Sequence, residues 1–95
     1  MTKSIQRVGD INNSGAPIIS VNQSSVFADN LGISVDGSRV RDHLPGRFGN
    51  QHRNVVTSNG SANIFIENKR VNCAGDPDTC GHIRIAGSSN LYMGG

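Results

Sequence analysis

Apolar residues fall in short runs along this chain. Each run is bounded by glycine, asparagine, serine or aspartate, and none repeats with the spacing of an amphipathic helix. Ile18-Ile19-Ser20-Val21, Ile33-Ser34-Val35, Asn54-Val55-Val56-Thr57 and Ile83-Arg84-Ile85 read as short strands, because they are rich in β-branched residues and flanked by turn formers. Asp36-Gly37 is a strong hairpin-turn signal. The pattern predicts an all-β protein of short strands and hairpins.

A motif recurs along the chain as Asn22-Gln23-Ser24-Ser25-Val26-Phe27-Ala28-Asp29-Asn30, Gly60-Ser61-Ala62-Asn63-Ile64-Phe65-Ile66-Glu67-Asn68 and Gly87-Ser88-Ser89-Asn90-Leu91-Tyr92-Met93-Gly94-Gly95. Each copy reads turn, small or polar residues, aliphatic-aromatic-apolar, turn. Each is preceded by an acidic turn, assigned to Val8-Gly9-Asp10, Val40-Arg41-Asp42 and Ala74-Gly75-Asp76. Three related units are too few for a long solenoid. They predict one compact body, residues 1–95, with the units packed about a pseudo-threefold axis. The repeated aromatics Phe27, Phe65 and Tyr92 are expected to form the core. The alternative is that one face of these strands docks on a partner, and Val26, Ile64 and Leu91 form an equally good alternate set.

Composition sharpens this picture. At 95 residues with 35% hydrophobic content and no tryptophan, the chain is poor in core material. A body this small and thin-cored calls for a metal, a disulfide or a partner subunit. Twelve glycines and many serines and asparagines suit tight turns over helices. The formal net charge of +2 gives no basic face for nucleic acid. No apolar run suits a secretory signal or a membrane span, so the chain is expected to start in a cytoplasm, where thiols stay reduced.

The candidate chemistry gathers around Gly75-Asp76-Pro77-Asp78-Thr79-Cys80-Gly81-His82. In extended chain Cys80 and His82 point the same way and present a sulfur and an imidazole to one point. His43 and His52 flank a Pro/Gly-containing loop. All four lie between an acidic turn and the following Gly-Ser-type motif, so they converge if the units converge. Three histidines and one cysteine fill a tetrahedral zinc site. Cys73 lies outside that segment and reads as a structural thiol. A Cys73–Cys80 disulfide competes with the metal, although its short loop would stabilise the fold only modestly.

The run from Gly60 through Arg70-Val71-Asn72-Cys73 to Gly75-Asp76-Pro77 and Cys80 resembles the PAAR-repeat pattern: glycine-serine, a short strand, a turn, a Pro-Ala-Ala-Arg-like stretch, then Gly-Asp-Pro and a cysteine. Arg7-Val8-Gly9-Asp10 looks like the end of another copy. The tetrapeptide itself is absent, and the first unit has no histidine. The resemblance implies a small all-β cone capping a trimeric β-helical spike, one tip per trimer, in a contractile phage tail or a type VI secretion system. It implies one structural zinc near the point, held by His43, His52, Cys80 and His82. It also implies transient contact with a target envelope and assembly at the tip of a virion tail or secretion spike. The absence of a toxin extension favours the phage tail.

Two other classes compete. A zinc hydrolase needs an open coordination position and a general base. The single glutamate, Glu67, lies away from the ligand segments, and a chain this small offers little room for a substrate cleft. A zinc- or disulfide-stapled binding module with another protein partner is the stronger alternative. The expectation is therefore a non-enzymatic spike-tip protein with no small-molecule substrate and no stable membrane insertion.

Overall fold

Three short stretches organise the protein: Ile5-Gln6-Arg7, Ile33-Ser34-Val35 and Val71-Asn72-Cys73. In each, the central residue is polar and fully buried. In the computed structural model, which describes residues 2–42, 54–61, 63–85, 87–88 and 91–94, Gln6 N–H donates to Asn72 O (3.0 Å). Asn72 N–H donates to Ser34 O (2.9 Å), and Ser34 N–H donates to Gln6 O (2.9 Å). The three bonds close on themselves. The flanking residues pair in the same cyclic order, Ile5 with Cys73, Val71 with Val35 and Ile33 with Arg7, all antiparallel.

Each stretch runs into a turn with a glycine in the left-handed region: Gly9 (φ 92°), Gly37 (φ 89°) and Gly75 (φ 97°). A type II-like turn needs φ > 0 at that position, and glycine meets it without a Cβ clash. The turns close through Asp10 N–H to Arg7 O, Ser38 N–H to Val35 O and Asp76 N–H to Cys73 O, at 3.0 to 3.1 Å. The last side chain of each turn then reaches back. Asp10 Oδ2 accepts from Arg7 N–H (2.7 Å), Asp76 Oδ2 from Cys73 N–H (2.8 Å) and Ser38 Oγ from Val35 N–H (3.2 Å).

This corrects the assignment of the second turn. Its counterpart is Val35-Asp36-Gly37-Ser38, not Val40-Arg41-Asp42, which has no glycine to take the positive φ. Val40 is instead paired with Ile18. Asp36-Gly37 does make a turn, as expected, but as a corner between two pairings rather than a hairpin.

The named strands are short and all antiparallel: β1 Thr2–Ser4, β2 Ile18–Ser20, β3 Phe27–Ala28, β4 Leu31–Gly32, β5 Arg39–Val40, β6 Phe65–Ile66, β7 Lys69–Arg70 and β8 Tyr92–Gly94. β3–β4 and β6–β7 are tight hairpins. Their turn residues, Asp29-Asn30 (φ 54°, 66°) and Glu67-Asn68 (φ 51°, 66°), carry the two positive φ values of a type I′ turn. β1 pairs with β8 in the same manner, with Thr2 opposite Gly94, so the two ends of the sequence form a third strand pair. β2 pairs with β5 across a bulge. Among the described residues there is no helix, which bears out the all-β expectation. The Cα radius of gyration, 12.3 Å, is that of a compact chain of this length, for which about 12 Å is expected.

Two apolar clusters fill the body. One joins the strand pairs: Ile5, Ala28, Ile33, Val35, Val71 and Cys73, with Ile66 packed against it. The other joins the loops: Ala16, Ile18, Val40 and Val55, with Val21 and Cys80 against it. The repeated aromatics are in neither. Phe27, Phe65 and Tyr92 are 59%, 53% and 52% exposed, which overturns the expectation that they form the core. In β3 and β6 the reason is alternation: Ala28 and Ile66 face inward, so the preceding Phe27 and Phe65 face out.

Candidate functional site

The loop carrying Cys80 is set up by backbone bonds on both sides. Asp78 N–H donates to His82 O (2.8 Å), and Gly81 N–H donates to Asp78 O (2.9 Å) with Gly81 at φ 94°. Thr79 N–H donates across to Val56 O (2.9 Å), and Thr79 Oγ1 accepts from Val56 N–H (3.2 Å). The result brings Cys80 Sγ to 3.4 Å from His82 Nδ1. The sequence expectation that these two meet is met, but by a turn at Gly81 rather than by strand alternation.

That separation suits two chemistries. It is a thiol–imidazole hydrogen bond as it stands. It also fits two corners of a zinc tetrahedron. With Zn–S of about 2.3 Å and Zn–N of about 2.05 Å at a tetrahedral angle, sulfur and nitrogen lie roughly 3.5 Å apart. Both side chains are half-buried, open enough to admit an ion. Among the described residues no group of three or more His, Cys, Asp or Glu side chains is placed to hold a metal. His43 and His52 lie outside the described residues. The ends of the segment that carries them are described. Val40 N–H donates to Val55 O (3.0 Å), closing residues 41–54 as Asp78 and His82 close 79–81 and as Asn12 and Ala16 close 13–15. The two ends of that segment therefore sit where the ends of the Cys80 loop sit in the third unit.

The two cysteines are not joined. Cys73 is 2% exposed in the first cluster, while Cys80 packs against the second. Burial pushes the Cys73 thiol up to about 11, aided by the nearby Asp76 carboxylate. A buried, protonated thiol is a structural one, as expected for Cys73.

A charged pair beneath the loop was not anticipated. Arg84 Nη2 donates to Asp78 Oδ2 (2.9 Å) and to Ala16 O (3.1 Å), and Nη1 donates to Asp10 O (3.1 Å). Asn12 Nδ2 donates to the same Asp78 oxygen (2.8 Å). Both charged side chains are fully buried. Burial lowers the Arg84 pKa, opposed by the attraction of Asp78. Nothing in His82-Ile83-Arg84-Ile85 marked it, because alternation with two isoleucines reads Arg84 as the outer position, whereas the structure buries it and leaves Ile83 and Ile85 exposed.

A second candidate site is the exposed apolar surface of the strand pairs. Val26, Ile64 and Leu91 hold corresponding places, each accepting one backbone bond from the next stretch: Ile33 N–H to Val26 O, Val71 N–H to Ile64 O and Ile5 N–H to Leu91 O, at 3.0 to 3.2 Å. The aromatics follow them in sequence. All six side chains are exposed. The serine or glutamine of each Gly-Ser-type motif caps the turn that leads there. Gln23 Oε1 accepts from Ser25 and Val26 N–H, Ser61 Oγ from Asn63 and Ile64 N–H, and Ser88 Oγ from Leu91 N–H.

No family model matches the chain, and no curated protein matches it.

Proposed function

We propose that this chain is a structural, non-enzymatic spike-tip protein of the PAAR-repeat kind. One copy caps a trimeric β-helical spike of a contractile phage tail or type VI secretion system and sharpens it for brief contact with a target envelope. The chain would be made in the cytoplasm and assembled onto the spike there. The observation that carries this is the matched set of exposed apolar residues on the three strand pairs, Val26 and Phe27, Ile64 and Phe65, Leu91 and Tyr92. Large apolar side chains exposed at corresponding places on three strand pairs point to an interaction surface. The end of a homotrimer offers one surface three times over, and three corresponding patches on one chain suit that geometry. The closed cycle of bonds among Gln6, Ser34 and Asn72 supports a pseudo-threefold cone with the strand pairs at its base.

The cone would be pinned by one structural zinc. Cys80, as thiolate, and His82 would hold it, and His43 and His52 would complete the set. A site closed by four protein ligands contributes folding free energy and leaves no position for a substrate. The 3.4 Å approach of Cys80 Sγ to His82 Nδ1 supports this assignment.

Elemental analysis of the wild type, Cys80→Ser and His82→Ala tests the metal. One zinc per chain in the wild type, lost in both variants, is expected. Size-exclusion chromatography with the purified trimeric spike protein from the same genome tests the docking. Co-migration at one chain per trimer is expected, and independent elution of the two proteins would sink the spike-tip assignment.

A further inference from the structure

The two tight turns of the docking end do not simply face solvent. In the turn of the β6–β7 hairpin, the Glu67 carboxylate crosses to the first motif. Its Oε2 accepts from Ser24 N–H (3.1 Å) and from the Ser25 hydroxyl. Lys69 Nζ joins it by donating to Asn22 O (2.8 Å). Ser25 and Val26 N–H are in turn held by Gln23 Oε1 (2.7 and 2.9 Å), immediately before Phe27. The Asp29 carboxylate, in the turn of the β3–β4 hairpin, does the equivalent for the third strand pair. Its Oδ2 accepts from Ser88 Oγ (2.6 Å), whose oxygen receives Leu91 N–H (3.0 Å) immediately before Tyr92, and Arg7 Nη1 (2.8 Å) anchors the same carboxylate to the body.

Glutamate is a poor occupant of its position. Residue 67 has φ 51° in a type I′ turn, where asparagine, aspartate or glycine is favoured. Asn30 and Asn68 show the ordinary solution in the same two turns. What glutamate has and asparagine lacks is reach, and that reach is what contacts Ser24 and Ser25. The hydrogen bonds from Ser25 and Ser24 also hold the Glu67 carboxyl below its usual range, so the contact favours the charged form.

We infer that Glu67 is a positioning residue for docking, tying the β6–β7 hairpin to the turn ahead of Phe27 so that Phe65 and Phe27 keep the spacing a trimeric partner requires. Asp29 extends the linkage to Tyr92, so the three strand pairs are tied in series. The inference rests on the docking role proposed above and adds the device that sets the docking geometry.

Glu67→Asn separates positioning from stability, because the new residue suits the turn while its side chain no longer spans the gap. Its thermal midpoint should equal or exceed that of the wild type. Its affinity for the trimeric spike protein from the same genome should fall about tenfold, since a hairpin that must be ordered on binding carries that entropic penalty. Glu67→Gln, which keeps the length and an acceptor, should restore most of the affinity. Hydrogen exchange at the Ser24 amide should speed up in Glu67→Asn and not in Glu67→Gln. Phe65→Ser is the control for docking itself. If Phe65→Ser loses the partner while Glu67→Asn binds as the wild type does, the positioning role is wrong and the docking end stands. If Phe65→Ser binds normally, the docking assignment fails and the positioning role goes with it.

Discussion

Arg84→Met removes a cation that is fully buried and bonded to Asp78 Oδ2, Ala16 O and Asp10 O. What remains is the more costly part: an Asp78 carboxylate with no exposure, one oxygen held only by Asn12 and the other already without a partner. Breaking a buried pair by removing one partner costs about 3–5 kcal/mol, because the other charge stays desolvated. In a domain whose total stability is of the order of 5–10 kcal/mol, that is about 30% or more of the whole. At about 4–8 °C per kcal/mol for a domain of this size, the thermal midpoint should fall by at least ~12 °C. Asp78→Asn added to Arg84→Met removes the orphaned charge while keeping an acceptor for Asn12. The double variant should therefore be more stable than Arg84→Met alone. Urea and thermal unfolding check both, with metal content measured on each sample so that a change in any bound metal is not mistaken for loss of the pair. An Arg84→Met variant within about 1 kcal/mol of the wild type, or a double variant less stable than the single, would refute the assignment of this pair as the strut beneath the Cys80 loop.

Other substitutions test the rest of the body. The buried Cys73 thiol, raised from 9.0 to about 11, keeps its proton longer in the folded than in the unfolded chain, so its contribution is complete below pH 9 and is lost as pH rises toward 11. Between pH 8 and 10 the wild type should lose about 1 kcal/mol more than Cys73→Ala, measured by urea unfolding at each pH. Gly87→Ala drives a methyl group into the Ile5 carbonyl oxygen and to within 2.8 Å of Gln6 Nε2, so circular dichroism should show destabilisation by several kcal/mol, or about 3 if the backbone relaxes. Phe27→Ser and Phe65→Ser should change the free protein's stability by less than about 1 kcal/mol, because both rings are already more than half in water. A loss of about 3 kcal/mol, as for a core phenylalanine, would return them to the interior.

The all-β character, the strand at Ile18–Ser20 and the meeting of Cys80 with His82 were legible in the sequence, whereas the runs at 33–35, 54–57 and 83–85 form isolated bridges rather than strands. The first two follow from β-branched runs and turn formers; the third was expected from strand alternation but is made by the turn at Gly81. The aromatics were misplaced because alternation alone does not say which face is inside; only the burial of Ala28 and Ile66 does. The second turn was misplaced because an aspartate was taken as its marker. Gly37 is the residue the turn requires, and Ser38 does the capping that Asp10 and Asp76 do elsewhere. The Arg84–Asp78 pair was missed because a charged residue between two isoleucines reads as an exposed position until its strand is seen to be covered.

The same comparison explains how a repeated design persists under so little repeated sequence. Gly9, Gly37 and Gly75 donate in turn to the carbonyls of Ile18, Thr57 and Arg84, and those three residues donate back to Asp10, Ser38 and Asp76. The backbone pattern is the same in all three, and all three side chains are buried. One is aliphatic, one a hydroxyl bonded to Val35 O, and one a cation paired with Asp78. A backbone bond asks nothing of the side chain beyond an allowed φ, so these positions were free to diverge once each found a local way to satisfy its own polar atoms. The glycines were not, because the turn needs a positive φ. Divergence is then concentrated where chemistry is added. The first unit closes its loop with Asn12 and Ser14, the third with Cys80 and His82, and the second carries the long segment with His43 and His52. A frame held by main-chain bonds can thus keep three like strand pairs while its loops differ in chemistry.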